Sequence, residues 1–347
     1  MFQIHDKLNP KIKRNIKVVF FALVGIAILW LITRGQDVER IWKEFLGANY
    51  LWVILSVLAG ALSHVLRALR WNLLINSMNH SSKTSTTFYA LMTGYLANLA
   101  VPRLGEVTRC VTLTRYSGVP FNVTAGTVVA ERVFDMACLA GLIVLVIAFQ
   151  FTFLKEFLDY YVFSPLMALV EGRIWILILL GIIFLGIALV VWKYFKNVSS
   201  QKSGLASKIK RQFMGFLRGM ASLVFVKKKI LFLTYTFFIW VLYFLMVYLC
   251  FFALESTSEL GIAAGFMVLI MGSLGIVAPV PGGVGTYHFV VIITLTELYG
   301  IAPEPATSYA YLAHASQIVM VLILGVFSWM MLSFKKAEPK TGKMPVQ

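Results

Sequence analysis

Three charged side chains fall within seven positions of ANLAVPRLGEVTRCV, residues 97–111: Arg103, Glu106 and Arg109. A second group, AERVFD at 130–135, supplies Glu131, Arg132 and Asp135, and RALRW at 67–71 adds Arg67 and Arg70. The planar guanidinium gives two parallel hydrogen bonds to a phosphate or carboxylate, so a site with surplus arginine suits a phosphate-bearing ligand. Glu131 and Asp135 stand four apart and share a helix face, with Arg132 turned about a quarter-circle from Glu131. They are suited to holding those arginines, to exchanging protons, or to acid–base work. A purely structural ion network is the competing reading, because charges inside a membrane commonly pair with one another.

A second device lies in APVPGGVGTYHF, residues 278–289. Gly282, Gly283 and Gly285 permit tight turns, and a helix is expected to start at about Thr286. Its free N–H groups and positive dipole end would attract an anion. This is not a Walker A loop, which needs a lysine followed by Ser or Thr. Close packing of small residues between membrane helices explains the glycines equally well. His288 is placed to titrate near neutral pH, although a hydrogen-bonded structural role is the ordinary one; His64 and His314 draw less weight. Cys110, Cys138 and Cys250 form no CxxC pair and have no histidine at ligand spacing, so neither a disulfide framework, a metal site nor a cofactor is expected.

The elements that must position these side chains are membrane helices. Of 347 residues, 59% are hydrophobic and 13% charged, with a mean hydropathy of +0.83. That composition fits a polytopic membrane protein and no soluble domain of this length. The formal charge of +16 lies in short runs beside apolar segments, which marks topology and not nucleic-acid binding. Spanning helices are expected over roughly 16–33, 50–70, 121–150, 174–192, 230–254 and 308–332, each near the ~20 residues a bilayer requires. The first lacks a small-residue cleavage pattern and reads as a retained helix, not a signal peptide. Basic residues before the first span, between Lys193 and Lys229, and after the last put all three segments in the cytoplasm.

That orientation leaves 87–118 beginning and ending inside, and 261–300 beginning and ending outside. Each has breakers at its centre: Pro102 with Gly105, and Pro279 and Pro281 with the glycines. The expected fold is therefore all-α, with about six full transmembrane helices and two re-entrant or broken helical hairpins inserted from opposite faces, the hydropathy pattern of an inverted repeat. Two full spans per hairpin is the alternative, weaker for 87–118 than for 261–300. Residues 1–15 and 334–347 are expected as cytoplasmic ends of one transmembrane domain, 16–333. Within it 205–224, basic and apolar at helical spacing, reads as an interfacial helix on the anionic leaflet. Trp30, Trp52, Trp71, Trp175, Trp192 and Trp329 lie near helix ends and are expected as interface anchors.

The ordered motifs RALRW, NLAVPRLGEVTR, ERVFD and PVPGGVGTYH resemble the lysylphosphatidylglycerol synthase transmembrane, or flippase-like, family over about residues 16–333. Matching positions are Arg67, Arg70 and Trp71; Asn98, Pro102, Arg103, Gly105, Glu106 and Arg109; Glu131, Arg132 and Asp135; and Pro281, Gly282, Gly283, Gly285 and Thr286. The resemblance implies movement of a lipid with a polar head group between leaflets. In the bacterial synthases this domain is joined to a soluble aminoacyl-transferase; the chain ends at Gln347, so tRNA use and lipid aminoacylation are not carried over.

The resulting expectation is a lipid flippase or translocase of a bacterial or archaeal cytoplasmic membrane. It would not be an enzyme, and would bind anionic or phosphate-bearing lipids and no nucleic acid. Self-association or a separate lipid-modifying enzyme would supply protein partners. The substrate-binding set is Arg67, Arg70, Asn98, Arg103, Glu106, Arg109, Glu131, Arg132, Asp135, Gly282, Gly283, Gly285, Thr286 and His288. Readings of another class are a membrane-embedded enzyme on lipid-linked phosphates or sugars, and a scaffold subunit of an envelope enzyme.

Overall fold

A computed structural model describes residues 10–158 and 221–336, with three isolated positions between them. The expected span at 174–192, nearly all of the 205–224 helix and most of the two terminal segments lie outside the described residues. Among those described, every regular element is helical: α1 (Pro10–Thr33), α2 (Val38–Gly47), α3 (Tyr50–Ser77), α4 (Thr84–Ala100), α5 (Leu104–Ser117), α6 (Phe121–Leu158), α7 (Ser222–Phe225), α8 (Lys229–Tyr248), α9 (Ile262–Val277), α10 (Thr286–Ile293) and α11 (Pro303–Ser333). A 3-10 turn, Leu249–Ala253, extends α8, and a π turn, Thr294–Leu298, extends α10.

Four of these elements, α3, α6, α8 with its 3-10 extension and α11, are long and apolar enough to cross a bilayer. Their polarity is reversed relative to a soluble protein. On α3, Leu51, Ile54, Leu58, Leu62 and Val65 recur every three or four residues and are exposed. The opposite face, Ser56, Gly60, Ser63, Arg67, Arg70 and Leu74, is buried. An outer surface of this kind is stable only against hydrocarbon; the chain is an integral membrane protein.

The two expected hairpins are present as pairs of short helices. α4 has 17 residues and α5 has 14, about 25 and 21 Å at 1.5 Å per residue, short of a ~30 Å hydrocarbon core. Their base is closed by the Ser82 and Ser117 hydroxyls, 2.7 Å apart. The turn is of type II: Leu104 N–H donates to the Val101 carbonyl across 3.2 Å, with Pro102 at the second position and Arg103 at the third, φ +64°. In the other hairpin α9 descends to Val277, and Gly282, Gly283 and Gly285, all at positive φ, turn the chain into α10.

Contacts place the hairpin bases at opposite ends of the bundle. α3 and α8 run antiparallel, since Ser56 donates to the Met246 carbonyl at one end and Arg70 donates to Thr236 at the other. Lys335, just beyond α11, bonds Thr86 at the base of α4, whereas Asn49, at the start of α3, donates to Ala253 near the base of α9. The tips meet between these ends, where the α-carbon of Gly282 faces the Leu99 side chain. Packing follows a two-fold exchange: α3 on α4 and α8 on α9, α5 on α6 and α10 on α11, α4 on α11 and α9 on α6. This pairing is the one an inverted repeat requires.

The stretch 34–49, between the first two expected spans, contains α2. Asp37 caps it, its carboxylate accepting from the Glu39 and Arg40 amides at 2.9 and 3.1 Å. The helix is short and polar, so hydropathy alone passes over it. It packs on α11 with an Arg40–Glu304 pair at 3.7 Å.

Candidate functional site

The polar face of α3 carries Arg67 and Arg70 into the bundle interior. Arg67 lies ten residues before Ser77, about 15 Å along the axis from that helix end. Arg109 lies eight residues before Ser117, about 12 Å by the same rise. These guanidiniums are buried well inside the bundle and need counter-charges from protein. α6 supplies them.

Glu131 is fully buried and is the centre of the cluster. Its Oε1 accepts from Arg67 Nη2 at 2.6 Å and lies 3.5 Å from Arg70 Nη2, while Oε2 accepts from Arg109 Nη1 at 3.2 Å. Asp135, one turn on, engages Arg70 Nη2 at 2.7 Å from Oδ1 and 3.0 Å from Oδ2, and its side chain keeps 21% exposure. Both α3 arginines also reach α8: Arg67 Nη1 donates to the Tyr243 hydroxyl at 2.9 Å, and Arg70 Nη1 to Thr236 Oγ1 at 3.2 Å. Aromatic rings cover the guanidinium planes, Tyr95 on Arg67, Phe232 on Arg70 and Trp71 on Arg109, at 5.1 to 5.7 Å from the ring centroids.

Among the described residues, charge does not cancel in this core. Arg67, Arg70 and Arg109 face Glu131 and Asp135, three cations against two anions. Arg109 Nε and Nη2 have no hydrogen-bond partner among the described residues. Arg132 and Glu106 form a separate, balanced pair at 3.2 Å, with side chains 39% and 35% exposed. A cationic excess with unengaged donors suits an anionic group.

Other expected residues take different places. Arg103 stands exposed at the tip of the α4–α5 hairpin, outside the ion network. Asn98 Oδ1 accepts the Gly105 amide at 2.6 Å, satisfying one orphan donor at the α5 N-terminus. In the glycine turn the Gly283, Val284 and Gly285 amides are all used within the hairpin, by Val280, Pro281 and His288 Nδ1. The Thr286 hydroxyl is bonded to the Gly275 and Gly283 carbonyls. The turn glycines also permit close approach, Gly285 to the Gly25 backbone of α1 and Gly282 to Leu99. The turn and the arginines are joined through α4, where Leu99 meets Gly282 one helical turn from Tyr95 beside Arg67.

Trp71 corrects one expectation. It is fully buried, its Nε1–H donates to Thr127 Oγ1 at 3.0 Å, and its face lies under Arg109. It is part of the cluster and not an interface anchor, because the end of α3 is enclosed by α4, α6 and α7. Sequence reasoning also passed over Tyr243 and Thr236. Thr236, Trp240 and Tyr243 recur at four- and three-residue spacing within an apolar helix, a polar stripe that marks an interior face.

The family model described as Lysylphosphatidylglycerol synthase TM region matches residues 16–325. A UPF0104 membrane protein of Methanocaldococcus jannaschii is 23% identical over 340 residues, covering 94% of this chain and 98% of that protein. A second UPF0104 membrane protein, from Methanothermobacter thermautotrophicus, is 22% identical over 320 residues, covering 89% and 93%. Glycosyltransferase AglD of Haloferax volcanii is 23% identical over 355 residues, which take in 94% of this chain and 56% of that protein. No solved structure matches. With the matched region running from α1 into α11, and so taking in both hairpins and the whole arginine cluster, the chain belongs to the lysylphosphatidylglycerol synthase TM region family.

Proposed function

We propose that the protein is a lipid translocase, moving the polar, phosphate-bearing head group of an anionic lipid between leaflets of a bacterial or archaeal cytoplasmic membrane. One observation carries the reading: three buried guanidiniums against two carboxylates, with Arg109 Nε and Nη2 unengaged among the described residues. Moving a charged head group through hydrocarbon is opposed by its desolvation, which fixed guanidinium donors offset by standing in for water. Family membership supports a lipid-related role, and so does the match to part of a protein named as a glycosyltransferase. On this reading the chain transports without chemical conversion, both termini face the cytoplasm, and its partners are membrane lipids. Glu131 and Asp135 hold the arginines in place, and Arg103 meets the head group at the hairpin tip.

The test is leaflet exchange of a fluorescent phosphatidylglycerol in liposomes containing the purified protein, with lipid products followed by mass spectrometry. Arg109→Ala is expected to slow exchange about tenfold or more, the loss of one charge-assisted hydrogen bond of about 1.5–3 kcal/mol. Lys228→Ala, at an exposed position preceding α8, is expected to leave the rate unchanged. Equal effects of the two substitutions remove the specific anion site, and a new lipid species makes the protein an enzyme.

A further inference from the structure

α2 joins α1 to α3 through two short links, 34–37 and 48–49, which hold it level with the ends of both helices. The surfaces that flank it are apolar and exposed: Trp30 and Leu31 at the end of α1, Leu51 and Ile54 in the first turns of α3. In an integral membrane protein such side chains face hydrocarbon, so α2 lies where hydrocarbon gives way to water. At 3.6 residues per turn its side chains sort into three arcs. Ile41, Glu44 and Phe45, with Arg40 at the edge, face the bundle. Phe45 packs against the buried cluster built mainly from α8 to α11, Ser256 Oγ donates to Glu44 Oε2 at 3.3 Å, and Arg40 pairs with Glu304 at the start of α11. Val38, Trp42 and Leu46 fill an adjoining arc of about 80° and are all exposed. Glu39 and Lys43 occupy the third arc, exposed and paired with each other at 2.8 Å.

We propose that α2 is an interfacial helix, and that Val38, Trp42 and Leu46 insert into the bilayer at the end of the bundle where α1 finishes and α3 begins. A helix lying along the waterline beside a protein wall meets three media, and α2 has one arc for each. Water on the whole of its free side would leave the apolar arc unfavourably wetted, and hydrocarbon on the whole of it would strand Glu39 and Lys43. The indole of Trp42, apolar in body with one polar N–H, suits the head-group level. Lipid is the occupant because the arc continues the lipid-facing surface of the bundle at both ends. Leu31 leads into Val38, Leu46 leads into Leu51, and the exposed Tyr50 hydroxyl at the head of α3 donates to the Phe45 carbonyl at 2.9 Å, which draws the two exposed faces together.

The insertion does not read lipid charge. α2 carries two acidic side chains, Glu39 and Glu44, and two basic ones, Arg40 and Lys43, and each has a partner in the protein. Arg34 and Asp37, in the link before it, are again one of each sign. With no basic excess, the apolar arc alone holds the helix to the membrane, unlike a basic helix drawn to anionic head groups. The inference rests on the fold and is independent of the translocase reading.

The experiment places a nitroxide on Val38→Cys, Trp42→Cys, Leu46→Cys, Glu39→Cys or Lys43→Cys, each in a protein whose Cys110, Cys138 and Cys250 are alanine. In phosphatidylcholine liposomes each label is read for collision with oxygen, which concentrates in hydrocarbon, and with a water-soluble nickel chelate. The oxygen-to-nickel ratio is expected to be about fivefold or more higher at Val38, Trp42 and Leu46 than at Glu39 and Lys43. It is expected to change less than about twofold when phosphatidylglycerol replaces about a third of the lipid. Equal ratios at all five positions overturn the proposal. So does an apolar arc shielded from both reagents, the signature of cover by a second copy or another part of the chain. A ratio that climbs with anionic lipid overturns insertion without regard to charge. A second measurement keeps the native cysteines: fluorine-19 NMR of protein labelled with 5-fluorotryptophan, in which the Trp42 line is identified by its loss in Trp42→Phe and the remaining lines report that this variant is folded. That line is expected to broaden more with a lipid carrying a nitroxide near its head group than with a water-soluble gadolinium chelate, and broadening chiefly by the chelate, or by neither, overturns the proposal.

Discussion

Glu131→Gln is the sharpest perturbation of the arginine cluster. The substitution keeps shape and volume but removes the charge that Arg67, Arg70 and Arg109 share at 2.6, 3.5 and 3.2 Å. It also turns one acceptor into an NH2 that faces guanidinium donors. Arg67 retains the Tyr243 hydroxyl and a 4.0 Å approach to Asp135, whereas Arg109 loses its one ion-pair partner among the described residues. Removing one member of a buried ion pair destabilises by about 3–5 kcal/mol, because the surviving charge stays in low dielectric uncompensated. Set against a typical total of about 5–15 kcal/mol, that is a large fraction of the fold's stability. Arg132→Gln breaks one pair, at 3.2 Å and with side chains 39% and 35% exposed, against the three guanidinium contacts that Glu131 makes, so a smaller loss is expected there. Both are measured by unfolding in mixed micelles titrated with SDS, alongside a double-mutant cycle of Glu131→Gln with Arg109→Gln. The cycle is expected to show coupling of about 1.5–3 kcal/mol. If Glu131→Gln costs no more than Arg132→Gln, or the coupling falls below about 0.5 kcal/mol, the ion network does not hold the core together and the reasoning fails.

Arg103→Gly relieves a left-handed conformation that costs a side-chain-bearing residue about 1–2 kcal/mol, partly offset by the entropy glycine gains in the unfolded chain. A net gain of about 0.5–1 kcal/mol is expected in the same unfolding assay, together with slower leaflet exchange if Arg103 meets the head group; a destabilised protein contradicts the turn geometry. Gly105→Ala places a methyl group 2.6 Å from the Asn98 side chain and against the Gly94 backbone, and a loss of about 1–3 kcal/mol follows from overpacking. Gly141→Ala on α6, with nothing within 4 Å of the added carbon, is expected to raise stability by up to ~1 kcal/mol through helix propensity. Reversal of the order of these two glycine variants, read by the same titration, refutes the α4–α5 packing.

Hydropathy and charge made the architecture readable because a bilayer imposes length and polarity on every segment. α3, α6, α8 and α11 fall where apolar runs of spanning length predict them, and both hairpins follow from loop charges that make 87–118 and 261–300 each begin and end on one side, with Pro102 or Pro281 at their centres. Buried charges have to find partners: of the charged set expected together, Arg67, Arg70, Arg109, Glu131 and Asp135 meet in one cluster, Glu106 and Arg132 pair beside it, and Arg103 stands apart. What stayed hidden is the direction each side chain faces. Arg103 and Arg109 are six residues apart, yet the left-handed turn at Arg103 leaves it at the tip while Arg109 points into the bundle. Trp71 looked terminal on α3 because enclosure by α4, α6 and α7 is a tertiary fact. The glycine turn was expected to offer free amides, but His288 and backbone carbonyls take them, and His314 arrives from a helix some thirty positions away.

Arg67 and Arg70 each hold a carboxylate of α6 with one nitrogen and a hydroxyl of α8 with another. Since α3 and α6 belong to one half of the molecule and α8 to the other, the grip is asymmetric: charge-assisted on one side, neutral on the other. Strain pulling the halves apart therefore yields at Tyr243 and Thr236 while both salt bridges stay intact.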